Sequence, residues 1–265
     1  MYEFEYVRPK SVADAASVLA ANSDARLMSG GMTLLPTMKQ RLAQASHLVH
    51  VGMLGELQQI AREGDTLVIG SAATHDAVAT STVVRTAIPA LAKLAGGIGD
   101  PQVRYLGTLG GSIANNDPAA DYPAAILGLG ATVVTDRREI AADTWFQGLF
   151  TTALDEGEIV VRVHFPVPKR AGYSKIKHPA TGYAMSGVLV VDTGAGIRVA
   201  ATGGGNGVFR WAEAETALTK SMSASTLDGL TLDLAHFSED IHATREYRAQ
   251  LCRVMAARAV DQLLG

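Results

Sequence analysis

The chain has 265 residues, which allows a large core and one to three domains, taking ~100–200 residues per domain. Hydrophobic residues make up 48% of it and charged ones 18%, so it is folded rather than disordered; a net charge of −3 without a basic stripe excludes a nucleic-acid surface. One cysteine, Cys252, excludes an internal disulfide and any zinc or iron–sulfur site held by several thiolates of this chain, and the seven histidines show no metal-ligand spacing.

Taken in chain order, Met1-Tyr2-Glu3-Phe4-Glu5 shows no basic region leading into an apolar stretch, so no signal peptide is expected. No apolar run reaches the ~20 residues of a membrane span, and a cytoplasmic location follows as the expectation. Ser11 with Asp14 three residues on is a capping-box-like start. Val12, Ala15, Ala16 and Leu19 then repeat at helical spacing. Arg26-Leu27-Met28 predicts a short strand running into Gly30-Gly31, and Leu34 to Lys39 a helix entered through Pro36. His47 to Val51 and Thr66 to Ile69 predict further strands. Thr74 caps a short helix whose first turn holds His75 and Asp76, and Pro89 to Leu94 predicts another helix, stopped by Gly96-Gly97.

Glycines 107, 110 and 111 precede Asp117-Pro118-Ala119-Ala120-Asp121, which predicts a helix with Asp117 as N-cap and Pro118 at its first position. Ala131 to Val134 returns as a strand. Alternation of strand and helix through residue 165 suggests an α/β region. Pro166-Val167-Pro168 marks a boundary. Beyond it Tyr173 to Lys177, Met185 to Val191 and Ile197 to Ala200 predict strands, the last two joined by the turn Asp192-Thr193-Gly194-Ala195-Gly196. Helical patterns follow over residues 211–220 and 247–264, giving a smaller α+β unit.

Two glycine doublets carry the chemistry: Ser29-Gly30-Gly31-Met32-Thr33 and Thr108-Leu109-Gly110-Gly111-Ser112. Residues without a Cβ let the backbone approach a ligand, and successive N–H groups then form an anion-binding nest needing no lysine or arginine. The hydroxyls of Thr33, Thr108 and Ser112 would add donors, a pattern suited to a diphosphate. Each doublet also reads as an ordinary tight turn, and neither is a G-x-G-x-x-G or Walker A loop. Asp121, four residues after Asp117, is either a solvated carboxylate near a helix start or an acceptor for a ligand hydroxyl. Lys175 and Tyr183 read by themselves as strand-edge and packing residues, Cys252 as a small apolar helix residue, and no catalytic cluster or metal set is visible.

At these motifs the sequence resembles the FAD-binding medium subunits of the xanthine dehydrogenase and carbon monoxide dehydrogenase family, a group of molybdenum hydroxylases. The segment from Leu27 to Pro36 resembles that family's first pyrophosphate loop, and Gln102 to Ser112 running into Asp117 to Asp121 its second. Tyr173 to Ala184 resembles a flavin-contacting strand, and residues 247–258 the C-terminal helix. The resemblance implies non-covalent FAD held by Ser29, Gly30, Gly31, Met32, Thr33, Leu34, Thr108, Leu109, Gly110, Gly111 and Ser112. Asp121 would bind a cofactor hydroxyl, Val160 would line the cofactor, and Lys175 and Tyr183 would lie near the isoalloxazine.

The implied fold is α+β. It has a vanillyl-alcohol-oxidase (PCMH) type FAD domain over residues 1–168, in subdomains of about 1–54 and 55–168. A carbon monoxide dehydrogenase flavoprotein-like C-terminal domain follows over residues 169–265, with a three-stranded antiparallel sheet and helices. The implied partners are a molybdopterin-binding large subunit and a small subunit with [2Fe–2S] clusters, in a dimer of heterotrimers, with no nucleic acid and no membrane span. Met32 and Gly182 stand where relatives carry a polar and an acidic residue. Two other readings remain: a free-standing flavoenzyme with His178 as its acid or base, and a non-enzymatic nucleotide-binding module.

Overall fold

In the computed structural model, which describes residues 1–265, the N-terminal segment alternates strand and helix: β1 (Glu5–Val7), α1 (Val12–Ala21), β2 (Arg26–Met28), α2 (Leu34–Lys39) and β3 (His47–His50). The three strands form a parallel sheet in the order β1-β3-β2. Helix α1 begins where the sequence places it, with the Ser11 hydroxyl accepting from the Asp14 N–H at 3.1 Å and Ala15 fully buried. Helix α2 starts two residues before Pro36, at Leu34; its Pro36 falls in the first turn, where no intrahelical N–H is needed.

The middle segment departs from the α/β expectation. It contributes β4 (Ile60–Glu63) and β5 (Thr66–Gly70), then six helices in succession: α3 (His75–Thr80), α4 (Thr82–Ala87), α5 (Pro89–Gly96), α6 (Pro101–Leu106), α7 (Leu109–Asn115) and α8 (Tyr122–Leu129). There follow β6 (Thr132–Thr135), β7 (Glu139–Ala141), α9 (Ala142–Trp145), the hairpin β8 (Phe146–Gly148) with β9 (Thr151–Thr152), and β10 (Val160–Pro166). The five-stranded sheet runs β4-β5-β10-β6-β7 and is antiparallel throughout, because its neighbours join as hairpins or return from a distance rather than through βαβ crossovers. Every residue of α8 is buried, as its unbroken apolar sequence requires.

After Pro166 the chain forms β11 (Arg170–Lys177), β12 (Ala184–Asp192), β13 (Ile197–Thr202) and β14 (Phe209–Arg210), then α10 (Ala212–Lys220) and α11 (Arg245–Leu264). The antiparallel sheet has four strands, not three, in the order β11-β12-β13-β14; the extra one is a two-residue edge too short to leave a sequence pattern. Strand β12 is apolar at successive positions because both of its faces are covered. Leu189 and Val191 join the core beneath α8, while Val188 and Val190 pack with Met255, Ala256 and Ala259 of α11. No helix is long and apolar enough to cross a membrane.

Helix α8 begins at Tyr122, not after Asp117. The Asp117 side chain caps a single turn, accepting from the Ala119 N–H at 2.8 Å. The carbonyls that would extend that turn into a helix are taken by the C-terminal sheet. Pro118 O accepts from the Gly203 N–H at 2.9 Å, Ala119 O from the Ala184 N–H at 3.2 Å, and Ala120 O from the Thr202 hydroxyl at 2.7 Å. Asp117 and Asp121 therefore do not share a helix face.

Candidate functional site

Strand β2 ends at Met28, and the chain turns through Ser29-Gly30-Gly31 on its way to α2. Gly31 has φ of 69°, a conformation that disfavours any side chain. Gly30 is fixed by proximity: a Cβ there would lie 1.9 Å from Leu106 O, on the backbone just before the second glycine loop. The two loops are thus in main-chain contact, and the Thr108 hydroxyl ties them again by donating to Ser29 Oγ at 3.0 Å. None of the backbone N–H groups of residues 29–34 donates to another group of the protein.

The second loop is built differently from its sequence reading. It leaves helix α6, and Thr108 is the N-cap of α7, so both glycines lie in the first turn of a helix and not in a tight turn. Four of its five amides are engaged, all but that of Thr108. Leu109 N–H donates to Ala73 O at 3.0 Å, Gly110 N–H to Ser71 O at 2.8 Å, Gly111 N–H to Thr108 Oγ1 at 3.2 Å, and Ser112 N–H to Thr108 O at 3.0 Å. The Thr108 hydroxyl has its proton on Ser29 and so is not a free donor, and Gly110 lacks a Cβ because Ser71 Cβ would stand 2.5 Å away.

Between the loops lies a cavity of about 720 Å³. Ser29, Gly30, Gly31, Met32, Thr33 and Leu34 line it from the first loop; Thr108, Gly110, Gly111 and Ser112 line it from the second. Asp121, Val160 and Tyr183 also reach it, bringing together segments far apart in sequence. Two expected residues do not line it. Leu109 points into the core, fully buried, and Lys175 stands behind Asp121, its Nζ donating to Asp121 Oδ2 at 2.7 Å and to Gly182 O at 3.3 Å.

Asp121 is almost wholly buried and accepts from the Tyr173 hydroxyl at 2.5 Å as well as from Lys175. Burial pushes its carboxyl above the usual range, opposed by the Lys175 charge and by both hydrogen bonds. Burial likewise lowers Lys175, opposed by Asp121. Each carboxylate oxygen has one protein donor and keeps a lone pair for a ligand hydroxyl. The Tyr183 phenol, half exposed at the cavity wall, is raised by burial and by Asp117 and Asp121.

Sequence reasoning missed Tyr173, Ser71, Glu158 and His75. Glu158 lines the cavity from a buried clasp, its carboxylate bonded by Arg138, Thr135 and the Asp155 N–H. His75 sits in the first turn of α3 as expected, but it is 5% exposed and lines the cavity. Its spacing of three from buried Val78 was a signal that the imidazole faces inward. His178, by contrast, does not line the cavity and packs edge-on to His242 at 4.7 Å. No group of three or more His, Cys, Asp or Glu is placed to hold a metal ion.

Residues 2–168 match the family described as the FAD-binding domain in molybdopterin dehydrogenases. The chain is 36% identical to the carbon monoxide dehydrogenase medium chain of Afipia carboxidovorans, over 98% of this chain and 96% of that one. It is 33% identical to the nicotine 6-hydroxylase medium subunit of Paenarthrobacter nicotinovorans, over 96% and 95%. Among solved structures, the reconstituted CO dehydrogenase from Oligotropha carboxidovorans superposes with a TM-score of 0.90 at 33% identity, covering 99% of this chain and 98% of that one.

Proposed function

The chain belongs to the family of FAD-binding medium subunits of molybdenum hydroxylases, and from that premise we propose that it receives electrons from [2Fe–2S] clusters of a partner subunit and passes them to an external acceptor. It is the flavoprotein subunit of a molybdenum-containing oxidoreductase, and FAD is its cofactor. The observation that carries the proposed site is the run of unclaimed amides at residues 29–34, which line the cavity between the two glycine loops. Such a run is a receptor for a diphosphate on a protein of net negative charge.

Bound FAD exchanges electrons in pairs or singly, and the protein contributes position and electrostatics. The amides of Ser29, Gly30, Gly31, Met32, Thr33 and Leu34 hold the diphosphate, with the hydroxyls of Thr33 and Ser112 as further donors. Met32 offers no polar side chain, so its contribution is its N–H. Thr108, Gly110 and Gly111 shape the opposite wall, and Leu109 supports it from the core. Asp121, fixed by Tyr173 and Lys175, accepts a cofactor hydroxyl, and Val160 packs along the cofactor. Tyr183 covers the end assigned to the isoalloxazine, with the Lys175 charge behind Asp121 biasing that end.

We assign residues 1–168 to a PCMH-type FAD domain with subdomains of about 1–54 and 55–168, and residues 169–265 to the C-terminal domain. The separate three-, five- and four-stranded sheets support that division. The assembly is a dimer of heterotrimers with a molybdopterin-binding large subunit and a [2Fe–2S] small subunit, located in the cytoplasm. The relatives' names as medium chains and subunits support the complex. In the free-standing reading the acid or base is His178, which does not line the cavity. The test is purification from the native host with an absorption spectrum. A flavin band near one per chain, co-purifying with molybdenum and iron, is expected; a flavin-free chain, or a yellow chain always alone, overturns the proposal.

A further inference from the structure

His75 and Tyr122 form a buried pair whose polar atoms have no protein partner. Their rings lie 5.3 Å apart at 48°, and both His75 Nδ1 and Tyr122 Oη are buried without a hydrogen bond. Leaving such a donor bare costs about 1–3 kcal/mol. The other edge of the imidazole faces the second glycine loop. A Cβ on Gly107 would meet His75 Nε2 at 2.6 Å and Cδ2 at 2.9 Å, and the His75 N–H donates to Gly107 O at 2.9 Å. Both Gly107 and His75 line the cavity, at the place where Gly30 presses against the Leu106–Gly107 backbone.

The two atoms do not bond each other directly. A single water between them would take the Tyr122 proton and donate to an unprotonated Nδ1. The proton of a neutral imidazole then sits on Nε2, at the cavity edge. The opposite tautomer would make that water accept twice and leave its own protons without a partner in this pair. Burial, with Arg104 nearby, lowers His75 to about 4, which keeps it neutral at physiological pH. In the second loop the amides of Leu109, Gly110, Gly111 and Ser112 are engaged within the protein, which leaves the Thr108 N–H as its one unclaimed backbone donor.

We propose that His75 binds the cofactor's diphosphate as a neutral Nε2–H donor, adding to the single unclaimed amide of the second loop, and that Tyr122 is the positioning residue that fixes its tautomer. The inference rests on FAD occupying this cavity. It supplies a donor on the second wall without burying a further charge.

The full chain, as purified and stripped of flavin, is titrated with FAD, ADP and riboflavin by fluorescence and calorimetry, for the native protein, His75→Leu and His75→Gln. Loss of one hydrogen bond to a charged group predicts that His75→Leu weakens FAD and ADP about tenfold. Riboflavin binding stays as in the native chain, and His75→Gln, whose amide N–H reaches the same place, keeps most of the affinity. In parallel, NMR of isotope-labelled histidine shows the Nε2–H tautomer in the native chain and a mixed tautomer in Tyr122→Phe. Native affinity for FAD in His75→Leu, equal weakening of riboflavin, or an Nδ1–H tautomer overturns the inference. If His75→Leu does not fold, the Gln variant and the native tautomer decide. A native chain that binds no FAD at all brings down the flavin reading, and this inference with it.

Discussion

Lys175 Nζ lies 2.7 Å from Asp121 Oδ2, and the two side chains, 54 residues apart in sequence, are 5% and 3% exposed. The pair joins the start of α8 to strand β11, with the Tyr173 hydroxyl on the second carboxylate oxygen. Removing one charge strands the other in a low-dielectric interior. Lys175→Met is therefore expected to destabilise the fold by about 3–5 kcal/mol, whereas Asp121→Asn combined with Lys175→Met recovers much of that loss. Denaturant unfolding of the two single variants and the double variant measures the coupling; additive losses would show that the pair is not a unit.

Glu158 gives a pH-dependent contribution of definite sign. Arg138, bonded through Nε at 3.0 Å and Nη2 at 2.9 Å, lowers its carboxyl to about 2, helped by the Thr135 hydroxyl and the Asp155 N–H against burial. A folded value below the unfolded one means stability is fully present above pH 4.5 and is lost as pH falls from there toward 2. Arg138→Gln is expected to lower stability at neutral pH and to flatten that acid limb. Thermal unfolding across pH 2.5–7 checks both (on the order of five points suffices).

Gly30 and Gly111 make different demands on the cavity. A methyl at Gly30 would drive into Leu106 O and separate the loops, while at Gly111 the nearest atom is Thr108 Oγ1 at 3.0 Å. Gly30→Ala is expected to cut flavin affinity by on the order of a hundredfold, and Gly111→Ala by less than about tenfold. Flavin content and equilibrium titration compare them, with circular dichroism confirming that both fold. Equal affinities would detach loop contact from cofactor binding.

Asn116 ends α7 in the left-handed conformation, φ 45°, and its side-chain amide donates at 2.8 Å to both Gly148 O and Thr151 O of the β8–β9 hairpin. Asn116→Ala loses two buried hydrogen bonds and meets backbone strain, for an expected loss of about 3 kcal/mol. Asn116→Gly, which keeps the conformation and loses only the bonds, is expected to lose about 1 kcal/mol less. Chemical denaturation resolves the difference.

Much of the fold was legible because its signals are local. Ser11, Thr74 and Pro89 mark helix starts that the structure keeps, and the short apolar and β-branched runs at Arg26 to Met28 and Thr66 to Ile69 give strands where expected. Errors arose where distant groups claim the backbone. Asp117-Pro118 carries a helix start in its residue types, yet the carbonyls of residues 118–120 bond to Gly203, Ala184 and Thr202, so the helix waits until Tyr122. The second glycine loop likewise looks like its twin until Ala73 and Ser71 take its amides.

The sequence by itself placed the two glycine segments, because residues lacking a Cβ and flanking hydroxyls are written in the local chain, and the family resemblance that those motifs carry implied the family and the cofactor. It also determined that several thiolate ligands could not come from this chain, whose single cysteine is Cys252. Only the tertiary structure decided which amides stay free, that Leu109 and Lys175 stand outside the cavity while His75 stands in it, and that Asp121 is anchored by Tyr173 and Lys175. Hydrogen-bond vacancy and burial belong to the packed molecule: each is set by partners tens of residues away, which no local pattern encodes.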